Sequence, residues 1–406
     1  MKKVPRLRFR GFQEDWELCK LIDLATTYIG LVTTMTTNYT DQGTLLIRNS
    51  DIKEGKFDLN NPIYLKEEFA KQNENRSMKM GDVVTVHTGD IGTSAVITED
   101  LDGTIGFATI TTRPSKKLNS NYLCWYFNSN IHKKYAKRMS TGDGRSNYNM
   151  KDFNKNILVI PKIEEQQTIG IFFQNLDNTI TLHQRKLDQL KELKKAYLQT
   201  MFVSMNTKNN KVPKLRFTDF EGDWQLCKLS TEFEKVNERN DGSLGKEHWI
   251  SVAKMYFQNP DKVQSNNIDT RTYVMRTGDI AFEGHPNKEF KFGRFVANDI
   301  GTGVVSELFP IYRHKQEYDN YYWKNAIQIE RVMGPIFAKS ITSSGNSSNK
   351  LDPNHFLRQQ VLIPKLEEQK KIGLFLKKID DIINLHQNKL TQLKSLKKSY
   401  LQNMFI

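Results

Sequence analysis

Two short stretches of this chain bring catalytic residue types close enough together to be read as chemistry. Asn61–Pro62–Ile63–Tyr64 lies one residue from the (N/D)PP(Y/F/W) pattern, in which an Asn or Asp carbonyl and a stacking aromatic hold a base for methyl transfer to its amino group. Ile63 stands where the second proline belongs, and no Gly-rich methyl-donor loop accompanies it in a strand–helix context; Gly301–Thr302–Gly303 is short and lies in the other half. A turn ahead of a strand accounts for residues 61–64. Pro260–Asp261 with Glu289–Phe290–Lys291 imitates a PD…ExK nuclease core, whose two carboxylates would hold Mg²⁺ with a lysine beside the attacking water. A chain that is 26% charged generates such triplets freely, Glu54–Gly55–Lys56 being another, and the first half offers no matching arrangement. No GxxxxGK[ST], HExxH or GxSxG is present. Three cysteines, Cys19, Cys124 and Cys227, form no CxxC pair and no disulfide framework, and neither His183 nor His386 has a Cys/His/Asp cluster around it. The expectation is a chain with no catalytic centre, metal or cofactor of its own.

Binding is the chemistry that remains. Sixty Lys+Arg against 46 Asp+Glu give +14, which points to a polyanionic partner. The excess is uneven. Residues 22–157 carry 17 basic and 15 acidic side chains, and 230–360 carry 17 and 16. Within the first stretch, 22–102 sum to −6 and 103–157 to +8. Lys133, Lys134, Lys137, Arg138, Arg145 and Lys151, interleaved with Tyr135 and Tyr148, could neutralise phosphates, although a solvated helix face explains Lys133 to Arg138 equally well. Both stretches end in small, polar, Gly-rich segments, 140–161 and 342–364. There Arg145 and Asn147, or Asn346 and Lys350, could reach base edges. Lys291 and Arg294, in the strand-like KFGRFVAND, complete the candidate DNA contacts.

The elements that must position these residues are written twice. Residues 3–21 return at 211–229 with 13 of 19 identical, and 158–202 return at 361–405 with 27 of 45 identical. The inserts between them, 22–157 and 230–360, share almost nothing. Duplicated domains follow, not a solenoid. The inserts read as mixed α/β or β-rich, with strand-like TLLIRNSDI, MGDVVTVHTGDIGTSAVI and TYVMRTGDIAFEG, and with helices over 121–139 and 319–339. The long repeat reads as one helix, opened by Pro161 with Glu164 and Glu165 in its first turn. Its seam rows are Phe173, Ile180, Leu187, Lys194, Met201 and Ile169, Leu176, His183, Leu190, Tyr197. The second copy supplies Leu376, Ile383, Leu390, Lys397, Met404 and Ile372, Ile379, His386, Leu393, Tyr400. Neither helix can bury its stripe alone, so the two are expected to pack together, with His183 and His386 as a polar layer fixing register. An antiparallel pairing would relate the halves by a pseudo-two-fold axis. The segment 204–211 reads as a polar turn, and Trp16 and Trp224 as either core or partner docking. No apolar run approaches the ~20 residues of a membrane helix, and no apolar stretch follows the basic start, so a cytoplasmic protein is expected.

Two divergent inserts in repeated frames, the IP-x-(I/L)-EEQ-x-x-IG helix start, the LxQLKxLKKxYLQxMF helix end and the VP-x-LRF…W-x-LCKL opening resemble the specificity subunit (HsdS) of type I restriction-modification systems. The resemblance covers the whole chain. It implies an α+β fold: two globular target-recognition domains separated by two long helices packed as an antiparallel coiled coil, with a pseudo-two-fold internal repeat. In its terms, 1–157 is the first recognition domain, 158–205 the central helix, 206–360 the second recognition domain and 361–406 the C-terminal helix. It further implies that each insert reads one half of a bipartite site in double-stranded DNA, while the helices set the spacing and dock two methyltransferase subunits (HsdM). Motor–nuclease subunits (HsdR) would join them. S-adenosylmethionine, ATP and Mg²⁺ would then reside on those partners. The alternatives are a coiled-coil scaffold without DNA specificity and a stand-alone DNA nuclease or methyltransferase.

Overall fold

The structure is a computed structural model of the chain. It describes residues 4–33, 36–141, 146–203, 211–263, 271–344 and 348–406, leaving out the side chains of 343 and 344. The chain divides into two compact units: residues 1–185 with 387–406, and residues 186–386. Both long helices, Ile163–Thr200 and Leu366–Asn403, are shared between the units. Each globular block thus carries the helix segments that complete its core, segments that a division at 157/158, 205/206 and 360/361 separates from it.

In the first unit the short repeat forms strand Glu17–Lys20, which pairs antiparallel with Ile157–Ile160, the run that leads into the first long helix. The second unit repeats the ribbon with Gln225–Lys228 and Gln360–Ile363. Each insert therefore leaves and re-enters the frame at one place, which lets its sequence change without disturbing what lies outside.

The inserts differ in sequence but share a sheet. In the first, Ala25–Ile29, Ile110–Pro114, Val83–Thr85 and Ser94–Val96 lie side by side in that order, all antiparallel. In the second, Phe233–Val236, Ile311–His314, Ile280–Glu283 and Arg294–Ala297 have the same order and sense. Each segment expected to be helical, 121–139 and 319–339, is a pair of short helices. Ser120–Asn128 ends where extended Ser129 caps Asn130–Met139, its side chain accepting from the His132 N–H. Asn320–Ala326 and Glu330–Ala338 are separated at Ile327–Ile329.

The frame motifs can be read residue by residue. Glu165, second glutamate of EEQ, accepts both prongs of Arg8 at 2.7 and 2.8 Å, and Glu368 accepts those of Arg216 at the same distances. Both carboxylates are buried, and each raises the pKa of its arginine by charge-assisted hydrogen bonding. Gln166 accepts from the Asn119 N–H and donates to the Pro161 carbonyl; Gln369 does the same with Asp319 and Pro364. Asn119 and Asp319 in turn cap the aromatic helices through the Tyr122 and Tyr322 N–H groups. The glycine of IG lets that cap approach: a Cβ on Gly170 would lie 2.9 Å from Asn119 Oδ1, and one on Gly373 closer still to Asp319.

Within each unit the two long helices run antiparallel. In the first, Lys397 Nζ meets Asp177 Oδ1 at 2.5 Å, and Phe172 packs edge-on against Tyr400 at 4.9 Å. In the second, Lys194 meets Asp380 at 2.7 Å and Tyr197 packs on Phe375 at 4.9 Å, with the helices' roles exchanged. A lysine in each apolar seam row is thereby explained: it neutralises an aspartate of the opposing helix. Leu187, Leu190, Leu390 and Leu393 are buried, while Ile180, His183, Ile383 and His386 are half-buried. Trp16 and Trp224 are 2% and 3% exposed, so both are core and neither is a docking surface.

Candidate nucleic-acid interface

An arginine fork on a buried aspartate fixes the same turn in both inserts. Asp82 follows Gly81 at the head of strand Val83–Thr85; its carboxylate accepts the Lys79 N–H at 2.8 Å and the Arg113 fork at 2.8 and 2.7 Å. Asp279 follows Gly278 and accepts the Arg276 N–H at 2.7 Å and the Arg313 fork at 2.8 Å twice. Both aspartates are buried, and the bond to each raises the pKa of its arginine. Around the first pair, burial and then the Asp82 charge push the Tyr28 hydroxyl up to about 12. Around the second, Glu238 adds a partner for Arg276 and Arg313, which hold its carboxyl below the usual range. A two-pronged pair of this kind adds geometric specificity as well as energy to the turn it closes.

At the far end of the strand that follows each turn, two loops meet. Tyr148 N–H donates to the His87 carbonyl at 2.8 Å, and in the second insert Asn349 N–H donates to the Gly284 carbonyl at 2.8 Å. These couple the Gly-rich exit segment to the end of the central strand. In the first insert the seam continues: Gly89 N–H to the Ser146 carbonyl at 3.1 Å, Thr88 Oγ1 to Asn147 Oδ1 at 2.8 Å, and Asn49 between the His87 N–H and the Ala108 carbonyl. Because the Thr88 hydroxyl proton goes to Asn147, His87 Nδ1 must donate to Thr88 Oγ1, and Nε2 is left as an acceptor. Burial lowers the His87 pKa, so the ring is neutral at pH 7. Below the seam, His132 Nδ1 donates to the Phe127 carbonyl at 2.9 Å, and Tyr148, which accepts from Asn156, faces His132 Nε2 at 3.5 Å. Burial lowers the His132 pKa to about 4.

The structure distributes the expected contacts unevenly. Lys134, Lys137 and Arg138 are exposed on the Asn130–Met139 helix, with Arg138 over the Tyr135 ring; Lys133 pairs with Glu54 at 3.2 Å. Tyr148 is fully buried, so the aromatic interleaving expected on a basic surface is half core. Asn147 joins the loop seam. Arg145 and Asn346, like most of the 204–211 linker, lie outside the described residues. Lys291 and Lys350 are exposed, while Arg294 is half-buried and donates to the Ala253 carbonyl at 2.6 Å. Asn61 lends its carbonyl to Arg48 just before strand Ile63–Leu65, as a turn would, and Pro260–Lys262 is a single helical turn. Among the described residues no group of three His, Cys, Asp or Glu could hold a metal, and no helix is long and apolar enough to cross a membrane. Sequence reasoning missed the Asp82–Arg113 and Asp279–Arg313 pairs and the Asn49–His87–Thr88 seam. The Gly-Asp dipeptide before a β-branched strand in both inserts was the available signal for the first.

Comparison with known proteins follows the same outline. The family profile described as type I restriction modification DNA specificity domain matches residues 13–192 and 302–395. A Methanocaldococcus jannaschii protein assigned as the specificity subunit of type I restriction enzyme MjaX is 23% identical, covering 96% of this chain and 92% of its own. The specificity subunit of the type I restriction enzyme StySPI from Salmonella potsdam is 20% identical over 89% of this chain and 81% of its own. Among solved structures, the S subunit of a type I restriction-modification system from M. genitalium shares the fold with a TM-score of 0.62 at 12% identity, covering 99% of each chain.

Proposed function

This chain belongs to the type I restriction-modification DNA specificity family, and from that premise we propose that it is the sequence-specific DNA-recognition subunit of such a complex, contributing recognition and no catalysis. Each insert reads one half of a bipartite duplex target. The observation that carries this reading is the same sheet, the same arginine fork on a buried aspartate and the same loop-to-strand bond in two inserts of unrelated sequence. Scaffold is kept and loop content varies, as two readers of different bases require. In the first insert the seam of Asn49, His87, Thr88 and Asn147 presents amide, imidazole and hydroxyl groups suited to base edges, and the exposed Lys134, Lys137 and Arg138 serve phosphates. In the second, Lys291, Arg294 and Lys350 take the corresponding parts. The long helices fix the spacing: 38 residues extend about 57 Å at ~1.5 Å each, against about 34–36 Å for one turn of B-DNA.

Two methyltransferase subunits dock on the frame, and motor–nuclease subunits join them; S-adenosylmethionine, ATP and Mg²⁺ belong to those chains. In support, each long helix exposes an apolar row at 11-residue intervals, Ile171, Leu182 and Leu193 on one and Leu374, Leu385 and Leu396 on the other. Eleven residues make just over three turns, so each row is a single stripe. Co-expression with the cognate methyltransferase and single-molecule sequencing of the DNA tests the proposal. The expected result is methylated adenine in a two-part motif with an unspecified gap, one half of which changes when residues 22–157 are replaced. A stable complex that leaves no motif would favour the scaffold.

A further inference from the structure

A lysine-rich groove of about 470 Å³ in the first unit lies apart from the loop seam. Lys53, Lys56 and Lys133 of the insert and Lys394, Lys397 and Lys398 of the second long helix line it, with Glu54 and Asp177 as its carboxylates. Six cations against two anions leave a concentrated positive charge, which self-repulsion opposes unless an anion is brought to it. The groove is also held in shape. Lys397 is buried between Asp177 and the Trp125 ring, 4.4 Å from its centroid. Gly55, at φ +77, forms the tip of the Ile52–Phe57 hairpin directly against Trp125, where a Cβ would clash. Lys133 is anchored on Glu54. Among the described residues, Lys56, Lys394 and Lys398 enter no ion pair and point their charge to solvent.

The second unit matches this only in part. The frame lysines have counterparts in Lys191, Lys194 and Lys195. The insert differs at the helix that matches the one carrying Lys133: Glu330–Ala338 holds one cation, Arg331, which donates to the carbonyls of Leu198 and Phe202.

We propose that this groove binds the sugar–phosphate backbone of the duplex flanking the half-site read by the first insert, making the first unit the stronger electrostatic anchor. The proposal rests on the DNA-recognition reading above, and the test separates the two. The complex co-expressed with its methyltransferase subunits is titrated over a salt series against a duplex carrying the mapped motif and against a scrambled one. The variant K53Q/K56Q/K394Q/K398Q is compared with K191Q/K195Q, which alters the frame lysines of the other copy. Each phosphate contact contributes about 0.9 to the slope of log K against log salt. The groove variant is expected to lower that slope by about 2 or more. It should weaken both duplexes about 10- to 100-fold at low salt, leaving their affinity ratio within about twofold, whereas K191Q/K195Q stays near wild type. An unchanged slope in the groove variant, or an equal loss in K191Q/K195Q, overturns the groove while a wild-type preference for the motif still upholds the recognition reading. A wild type that binds both duplexes equally, with a slope that falls in the variant, overturns recognition and keeps the groove. Failure of the wild type to bind either duplex overturns both.

Discussion

The two units are built on one plan and differ in how they are filled. Each has the ribbon, the four-stranded sheet, the arginine fork on a buried aspartate, the capped aromatic helix and the glutamate that grips an arginine of the short repeat. Yet Phe173, stacked on Trp125 at 5.3 Å in the first, is replaced by Leu376 in the second, and Asn325 stands three residues after Tyr322 where Trp125 follows Tyr122. Lys397 accordingly lies over an aromatic ring and is buried, whereas Lys194 pairs with Asp380 at a more open site. What the units share are mostly contacts of which one partner is in the frame, or which close a turn. What differs here turns on one insert aromatic, Trp125, which meets Phe173 and Lys397 of the frame.

Measurements can break this comparison or sharpen it. The largest effect is expected from Arg8→Leu and Arg216→Leu, each of which strands a buried glutamate. Either should destabilise its own unit by about 3–5 kcal/mol, leaving the other unit's hydrogen-exchange protection intact. Loss of protection in both units would mean that they do not fold separately.

Acid should act next. His132 has a pKa lowered to about 4 and His314 one lowered to about 3, both by burial. Well above pH 6.5 each is neutral whether folded or not. As pH falls from 6.5 the unfolded chain takes up protons that the folded one refuses, so stability drops until the folded pKa is reached. For His132 the loss is on the order of 3 kcal/mol. Denaturation midpoints across pH 4–7 should show this slope, reduced in His132→Gln.

A smaller loss is expected from Gly170→Ala and Gly373→Ala, about 1–3 kcal/mol by overpacking, with Gly373→Ala the worse because its cap sits closer. Thermal melts of the two variants test the order. Smallest is the contrast between Lys397→Gln and Lys194→Gln: about 2 kcal/mol for the buried lysine and under about 1 for the open one. Equal losses would mean that the Trp125 ring contributes nothing.

Much of the frame was legible because its information is local. A heptad seam, a first-turn Glu-Glu and a repeat offset survive in one dimension, since a helix places residues three and four apart on one face. The lysine in each seam was visible, but its aspartate partner is some two hundred residues away in the chain. The inserts were legible only as strands and turns. Tyr148 was grouped with surface lysines because it stands among them in sequence, yet it lies under the loop, bonded to Asn156.

The sequence alone determined that this chain is a duplicated frame around two unlike inserts, that its long repeats are helices needing a partner stripe, and that its net charge suits a polyanion. Only the tertiary structure decided that the unlike inserts share one sheet. It also decided that Asp82 meets Arg113 and Asp279 meets Arg313, and that the loop seam is assembled from residues near 49, 87, 108 and 147. The reason is physical. Helix periodicity is set by bonds four residues apart, while strand order, buried ion pairs and loop junctions depend on groups brought together only after the chain has closed on itself.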